Sequence, residues 1–277
     1  MRGFKGAEEA ADRAFALLQR RGFHADAAMC LHRGNIDTIR ESVRHLASLG
    51  VSSLKINRIQ ELGEWANAAQ NVALSEDESL QAYLDYIPQY FEDGAPLMIT
   101  LDGAFRYDRD EPHKIAMDFM RPCAADAKSE KRLSCGVLRS GMYIGPDGSV
   151  CPCMTMADCR IKDWPNIFET PLREILGDTL FMKRCSVTVG QVRDGNDRCR
   201  SCAWIEKCSG GCRAAAIAVS DNYFAPEPSH CNFFEHGWYE RFVTAEQEAL
   251  KTFLAFHPEL TEETAGMREK KDDLCQL

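Results

Sequence analysis

The sequence predicts an α/β first half followed by a loop-rich second half organised around cysteine. Two observations carry this. Up to about residue 120, helix-period and strand-length apolar segments alternate, the grammar of parallel strands joined by crossover helices. From 123 to 231 the chain holds eleven of its 13 cysteines, against one, Cys30, before that stretch. This shift divides the chain into residues 1–120, a cysteine-rich part at 121–235, and a terminal helix with a polar tail at 236–277.

Each element has a local reason. Residues 7–21 carry Ala10, Ala14, Leu17 and Leu18 at helical spacing, and Gly22 stops the helix. Residues 23–31 form a short apolar run of strand length. Residues 37–49 are helical again and end at Gly50; 51–59 alternate as a strand does. Ser75 with Glu78 is a capping box, followed by Leu80, Tyr83, Leu84 and Ile87 on one helical face. Residues 96–101 are another strand. In the second half, Gly145-Pro146-Asp147-Gly148 joins short strands at 142–144 and 149–151. Helices are expected at 171–180, 212–220 and 235–256, and the polar remainder is expected to fray.

Charge and composition exclude several classes. Lys plus Arg is 33 and Asp plus Glu is 42, a net charge of −9. An acidic chain is a poor partner for nucleic acid. No apolar run reaches the roughly 18 residues of a membrane span. The start, MRGFKGAEEAADR, has no secretory h-region, so the expected compartment is the cytoplasm. There, so many thiols point to metal or cluster ligation, not to disulfides.

The spacing of those thiols is specific. Cys135 is followed by twelve residues, Gly148, four residues and Cys153; then come Cys199-x2-Cys202-x5-Cys208-x3-Cys212, and finally Cys231. A Cys-x2-Cys turn brings two thiolates to one site. Ser209-Gly210-Gly211 lets backbone approach a bulky group closely. Zinc and iron–sulfur centres both suit thiolates.

This ordered set of seven cysteines closely resembles the SPASM domain, the C-terminal extension of many radical S-adenosylmethionine (radical SAM) enzymes. GMYIGPDGSVCPC and CAWIEKCSGGCRAAA resemble the family text around its cysteines. The resemblance implies two auxiliary [4Fe–4S] clusters. One would be held by Cys199, Cys202, Cys208 and Cys231. The other would take Cys135, Cys153 and Cys212 with a fourth ligand upstream, for which Cys123 is chosen over Cys151 and Cys159. Cys30, Cys185 and Cys275 are read as free thiols.

The first half resembles the later part of the radical SAM partial TIM-like barrel. The stretch AAMCLHRGNIDTIRESVRHLASLGVSSLKINR resembles its fifth strand, helix and sixth strand. By that resemblance His32, Arg33, Asn35 and Asn57 bind S-adenosylmethionine at the strand ends, with Arg58 facing the same cavity. The radical-generating Cys-x3-Cys-x2-Cys is absent from the sequence. The chain therefore reads as the C-terminal part of a longer enzyme. S-adenosylmethionine would bind only in a completed enzyme, and the missing N-terminal half is an expected partner beside a peptide or protein substrate. Met154 follows Cys153, where the sulfatase-maturing branch has an Asp that acts as a base, which favours other peptide maturases. The competing readings are a non-catalytic iron–sulfur module for electron transfer or partner binding, and a structural zinc protein.

Overall fold

The computed structural model describes residues 5–59, 71–107, 129–135, 141–157, 161 and 163–258. Cys123, Cys159, Cys275 and the tail expected to fray lie outside them. The chain forms two compact units. One comprises Met1–Glu61, Trp65–Asp118 and Trp238–Leu277, the other Leu62–Glu64 and Phe119–Gly237.

The first unit opens with helix α1 (Ala7–Arg20), strand β1 (Asp26–Leu31), helix α2 (Ile39–Ser48), and strand β2 (Ser53–Arg58). Helix α3 (Glu76–Glu92) and strands β3 (Met98–Leu101) and β4 (Phe105–Tyr107) follow. The sheet order is β1-β2-β3-β4. The first three strands are parallel, with Cys30 opposite Asn57 and Leu54 opposite Ile99. Strand β4 returns antiparallel. It was not foreseen: Asp102 and Gly103 both take positive φ, 42° and 78°, and close a hairpin turn of the primed kind.

Strand β1 begins three residues later than expected. Gly22 is left-handed at φ 73°. Phe23 N–H returns to the Leu18 carbonyl at 3.0 Å and Gly22 N–H to Gln19, a Schellman cap. Residues 21–23 therefore finish α1. Gly50 ends α2 the same way, with Val51 bonded back to Leu46.

Leu54, Ile56, Ile99 and Leu101 are buried from the sheet, and Leu80, Tyr83, Leu84 and Ile87 are buried from α3, the helical face read from the sequence. An aromatic cluster extends this core. Phe91 meets Tyr107 at 5.0 Å and Phe253 at 5.4 Å between ring centres. Phe253 belongs to the helix Trp238–Phe256, which packs on α3 and is held by a Trp238 Nε1 bond to Asp77 at 2.7 Å. That helix starts later than expected because Gly237, at φ 70°, separates it from the helix Pro228–Glu235.

The second unit holds the expected hairpin, β5 (Tyr143–Ile144) and β6 (Val150–Cys151). Gly148 turns it at φ 83°, where a Cβ would strike Phe168 and Asn166. The single helix expected at 171–180 is two: Leu172–Ile175 and Leu180–Cys185. Gly177 interrupts, and the Thr179 hydroxyl caps the second helix at Met182 N–H. Other short helices, among them Val189–Asp194, Asp197–Ser201, Ile205–Cys208 and Arg213–Ser220, carry the cysteines between loops. Among the described residues, no helix is long and apolar enough to cross a membrane.

Candidate metal centre

The sequence-marked cysteines of the second unit fall into two neighbourhoods. Cys199, Cys202, Cys208 and Cys231 line one cavity, with Trp204, Gly210, Glu227 and His230 around them. Asn196 starts the helix Asp197–Ser201 by accepting from Cys199 N–H at 2.7 Å, which fixes the first thiol. The chain then turns, and Trp204 N–H points at Cys202 Sγ, 3.4 Å away. Cys208 ends the helix Ile205–Cys208. Burial pushes its thiol up to about 12, opposed by Gly210 N–H. Burial likewise lifts Cys231 to about 11, against the pull of Arg198. Hydrogen bonds from backbone N–H to sulfur are a means of holding and tuning a thiolate cluster. Metal entry must expel the thiol protons.

Ser209, Gly210 and Gly211 all take positive φ, 58°, 85° and 73°. This left-handed run swings the backbone between Cys208 and Cys212. Cys208 stays in electrostatic reach of Cys199 and Cys231, while Cys212 reaches Cys153. Cys153 in turn reaches Cys135. The cradle is closed by a buried arginine: Arg213, 1% exposed, donates to the carbonyls of Gly210, Tyr223 and Ala225. Arg132 holds the other side through Glu206 O at 2.6 Å and Ser209 Oγ at 2.8 Å. At Gly211 a Cβ would meet Glu227 and His230, so the backbone approach needs glycine.

The donor set fits an iron–sulfur group: thiols alone, backbone N–H groups beside them, and a glycine cradle. Among the described residues, no three His, Cys, Asp or Glu converge tightly enough for a single metal ion.

The strand-end residues lie on the first unit. His32, Arg33 and Asn35 follow β1, and Asn57 lies near the C-terminal end of β2. The Asn35 amide is used by its own loop: it accepts from His32 N–H at 2.8 Å and donates to the Cys30 carbonyl at 3.0 Å. The His32 ring accepts from Gly34 N–H at 3.0 Å. Arg33 is paired to Glu78. Nearby, Arg58 stands 2.9 Å from Glu76 and 3.1 Å from Asp102. Burial raises the Asp102 carboxyl to about 6, against the pull of Arg58. Sequence reasoning passed over Asp102, although the Asp-Gly pair after a strand was a visible turn signal.

The chain matches the SPASM family, described as an iron-sulfur cluster-binding domain, over residues 135–209. It is 23% identical over 227 residues to a PqqA peptide cyclase of Ruegeria pomeroyi, covering 82% of this chain and 54% of that protein. Among solved structures, it is similar to anSMEcpe with bound AdoMet and Cp18Cys peptide: TM-score 0.54, 16% identity, 86% of this chain and 62% of that one. It is also similar to SuiB of Streptococcus suis bound to S-adenosylmethionine: TM-score 0.56, 15% identity, 80% and 48% covered. The resemblance to radical SAM/SPASM peptide maturases therefore holds in sequence and in fold. The chain spans about half the length of the curated relative it matches.

Proposed function

We propose that this chain carries two [4Fe–4S] clusters for radical chemistry on a peptide or protein side chain. The observation that supports this most directly is the left-handed run at Ser209-Gly210-Gly211, before which Cys208 lies in electrostatic reach of Cys199 and Cys231 and after which Cys212 lies in that of Cys153. Cys199, Cys202, Cys208 and Cys231 would hold one cluster. Cys135, Cys153 and Cys212 would hold the other, with Cys123 the fourth ligand on the sequence reading. When bound, the clusters supply an electron relay or a substrate contact.

The residues of the chain itself do the rest. Arg213 and Arg132 set the loop between the two groups. His32, Arg33, Asn35 and Asn57 frame the strand-end face for S-adenosylmethionine, Asn35 by shaping the loop. The similar proteins include a peptide cyclase and a structure bound to a peptide, which supports a peptide or protein as substrate. The thiol-rich chain suits a reducing compartment, the cytoplasm. The 277 residues hold no Cys-x3-Cys-x2-Cys, so radical chemistry would draw that motif from polypeptide outside them. The second reading is a non-catalytic iron–sulfur module for electron transfer or partner binding.

Anaerobic reconstitution with iron and sulfide tests the reading. About eight irons per chain are expected; four would mean one real site, and a colourless zinc protein would end the proposal. Cys202→Ala and Cys212→Ala should each remove a different cluster. The reduced chain alone should form no 5′-deoxyadenosine from S-adenosylmethionine, and the partner with the motif should restore it. Lack of restoration would favour the second reading.

A further inference from the structure

The second thiol group lacks a fourth member among its sequence-marked cysteines, and Cys123 lies outside the described residues. The structure brings another thiol to the group. Cys185 ends the helix Leu180–Cys185 and is 4% exposed. Directly after it, the chain runs antiparallel to the segment that leads into Cys135. Leu133 bridges Thr188, Ser134 N–H donates to the Val187 carbonyl at 2.9 Å, and Val189 N–H to Arg132 at 2.8 Å. Cys135 directly follows Ser134 in this pairing, and Cys185 stands two residues before Val187.

The approach from the hairpin agrees. Val150, three residues before Cys153, shares a buried cluster with Cys185, Ile175 and Phe181. The Cys185 thiol lies within electrostatic reach of both Cys135 and Cys153. Tyr223 lies in electrostatic reach of both Cys135 and Cys185, and its hydroxyl donates to the Arg184 carbonyl at 3.0 Å. Cys151, the rival on the hairpin, turns its sulfur toward the Tyr143 carbonyl, 3.8 Å away.

We propose that Cys185 is the fourth thiolate of a polynuclear iron–sulfur site whose other ligands are Cys135, Cys153 and Cys212. This rests on the cluster reading above and replaces the sequence-based choice of Cys123. On ligation the thiol releases its proton to solvent, and the sulfur donates a lone pair to one iron; no electron is transferred. The helix Leu180–Cys185 then has a role beyond packing. Its cap at Thr179 and its apolar side chain Phe181 hold the fourth ligand in place.

The test uses the full chain, reconstituted anaerobically with ferrous iron and sulfide. The readouts are iron per chain and the low-temperature magnetic resonance spectrum. The wild type should hold about eight irons. Cys185→Ala should fall toward about four, or convert one centre to a three-iron form with its own paramagnetic signal. Cys123→Ala should keep the wild-type content and spectrum. Cys185→Val fills the same buried space without a ligand. A folded Cys185→Val by circular dichroism that has lost iron separates ligation from packing. Eight irons and an unaltered spectrum in Cys185→Ala or Cys185→Val would overturn the assignment while leaving the two-cluster reading standing. So would loss of the same centre in Cys123→Ala. A wild-type chain that takes up no iron would overturn both.

Discussion

Arg33 and Glu78 form a two-pronged ion pair, Nη1 to Oε1 at 2.8 Å and Nη2 to Oε2 at 2.9 Å. Glu78 is also the acidic half of the α3 capping box and accepts from Ser75 N–H at 2.7 Å. The loop after β1 is thereby tied to the first turn of α3. Arg33, and then the Ser75 backbone, hold the Glu78 carboxyl down at about 2. Its contribution is present above the ordinary carboxylate range and is lost as pH falls through 2.

The two halves of this arrangement should differ in weight. Ser75→Ala removes a helix cap and should cost about 1 kcal/mol in urea unfolding. Arg33→Ala should change stability little, because the pair is exposed, 51% and 41% for its side chains. A larger loss for Arg33 than for Ser75 would contradict this ranking.

Asp102 should give the pH profile an opposite slope. Its folded carboxyl titrates near 6, above the unfolded value, because burial disfavours the charge. The folded state then binds the proton more tightly, so its contribution is full below about 4 and is lost as pH rises through 6. Asp102→Asn should flatten stability between pH 4 and 7 and raise it at pH 7 by about 2 kcal/mol relative to the wild type. Asn also tolerates the left-handed backbone at this turn. Parallel stability–pH curves for the two proteins would sink the prediction.

Arg213→Met should be severe. The arginine is buried and serves three carbonyls, and methionine leaves all three without their donor. A loss of about 3 kcal/mol is expected in chemical unfolding. Arg213→Lys should recover only part of it, since an ammonium cannot reproduce the planar fork.

The first unit should self-associate. Among the described residues β1 is a sheet edge, and α1 buries none of its side chains. Leu17, Leu18 and Phe23 are 47%, 39% and 64% exposed. An open edge beside an apolar helix face promotes association. Light scattering should report a mass above 31.1 kDa that falls in Leu18→Glu with Phe23→Glu. A monodisperse wild-type monomer would count against it.

Local chemistry wrote the legible part of this protein. Gly22 and Gly50 end helices because only glycine takes the left-handed cap cheaply, and Ser75 with Glu78 starts one by satisfying its first N–H groups. The thiol spacing around Ser209-Gly210-Gly211 was equally readable, since a few residues decide it. Asp102-Gly103 shows the limit: the turn was written there, but whether the chain after it became strand β4 depended on β3 offering an edge. Cys185 shows the limit more sharply. In sequence it is a lone thiol after Arg184, 32 residues from Cys153 and 50 from Cys135. Its approach to them follows from the antiparallel bridge Leu133–Thr188 and from the buried cluster it shares with Val150 of the hairpin. Spacing along the chain reports contacts that local turns make, whereas contacts made by packing depend on burial gathered from distant segments, and only the folded unit decides them.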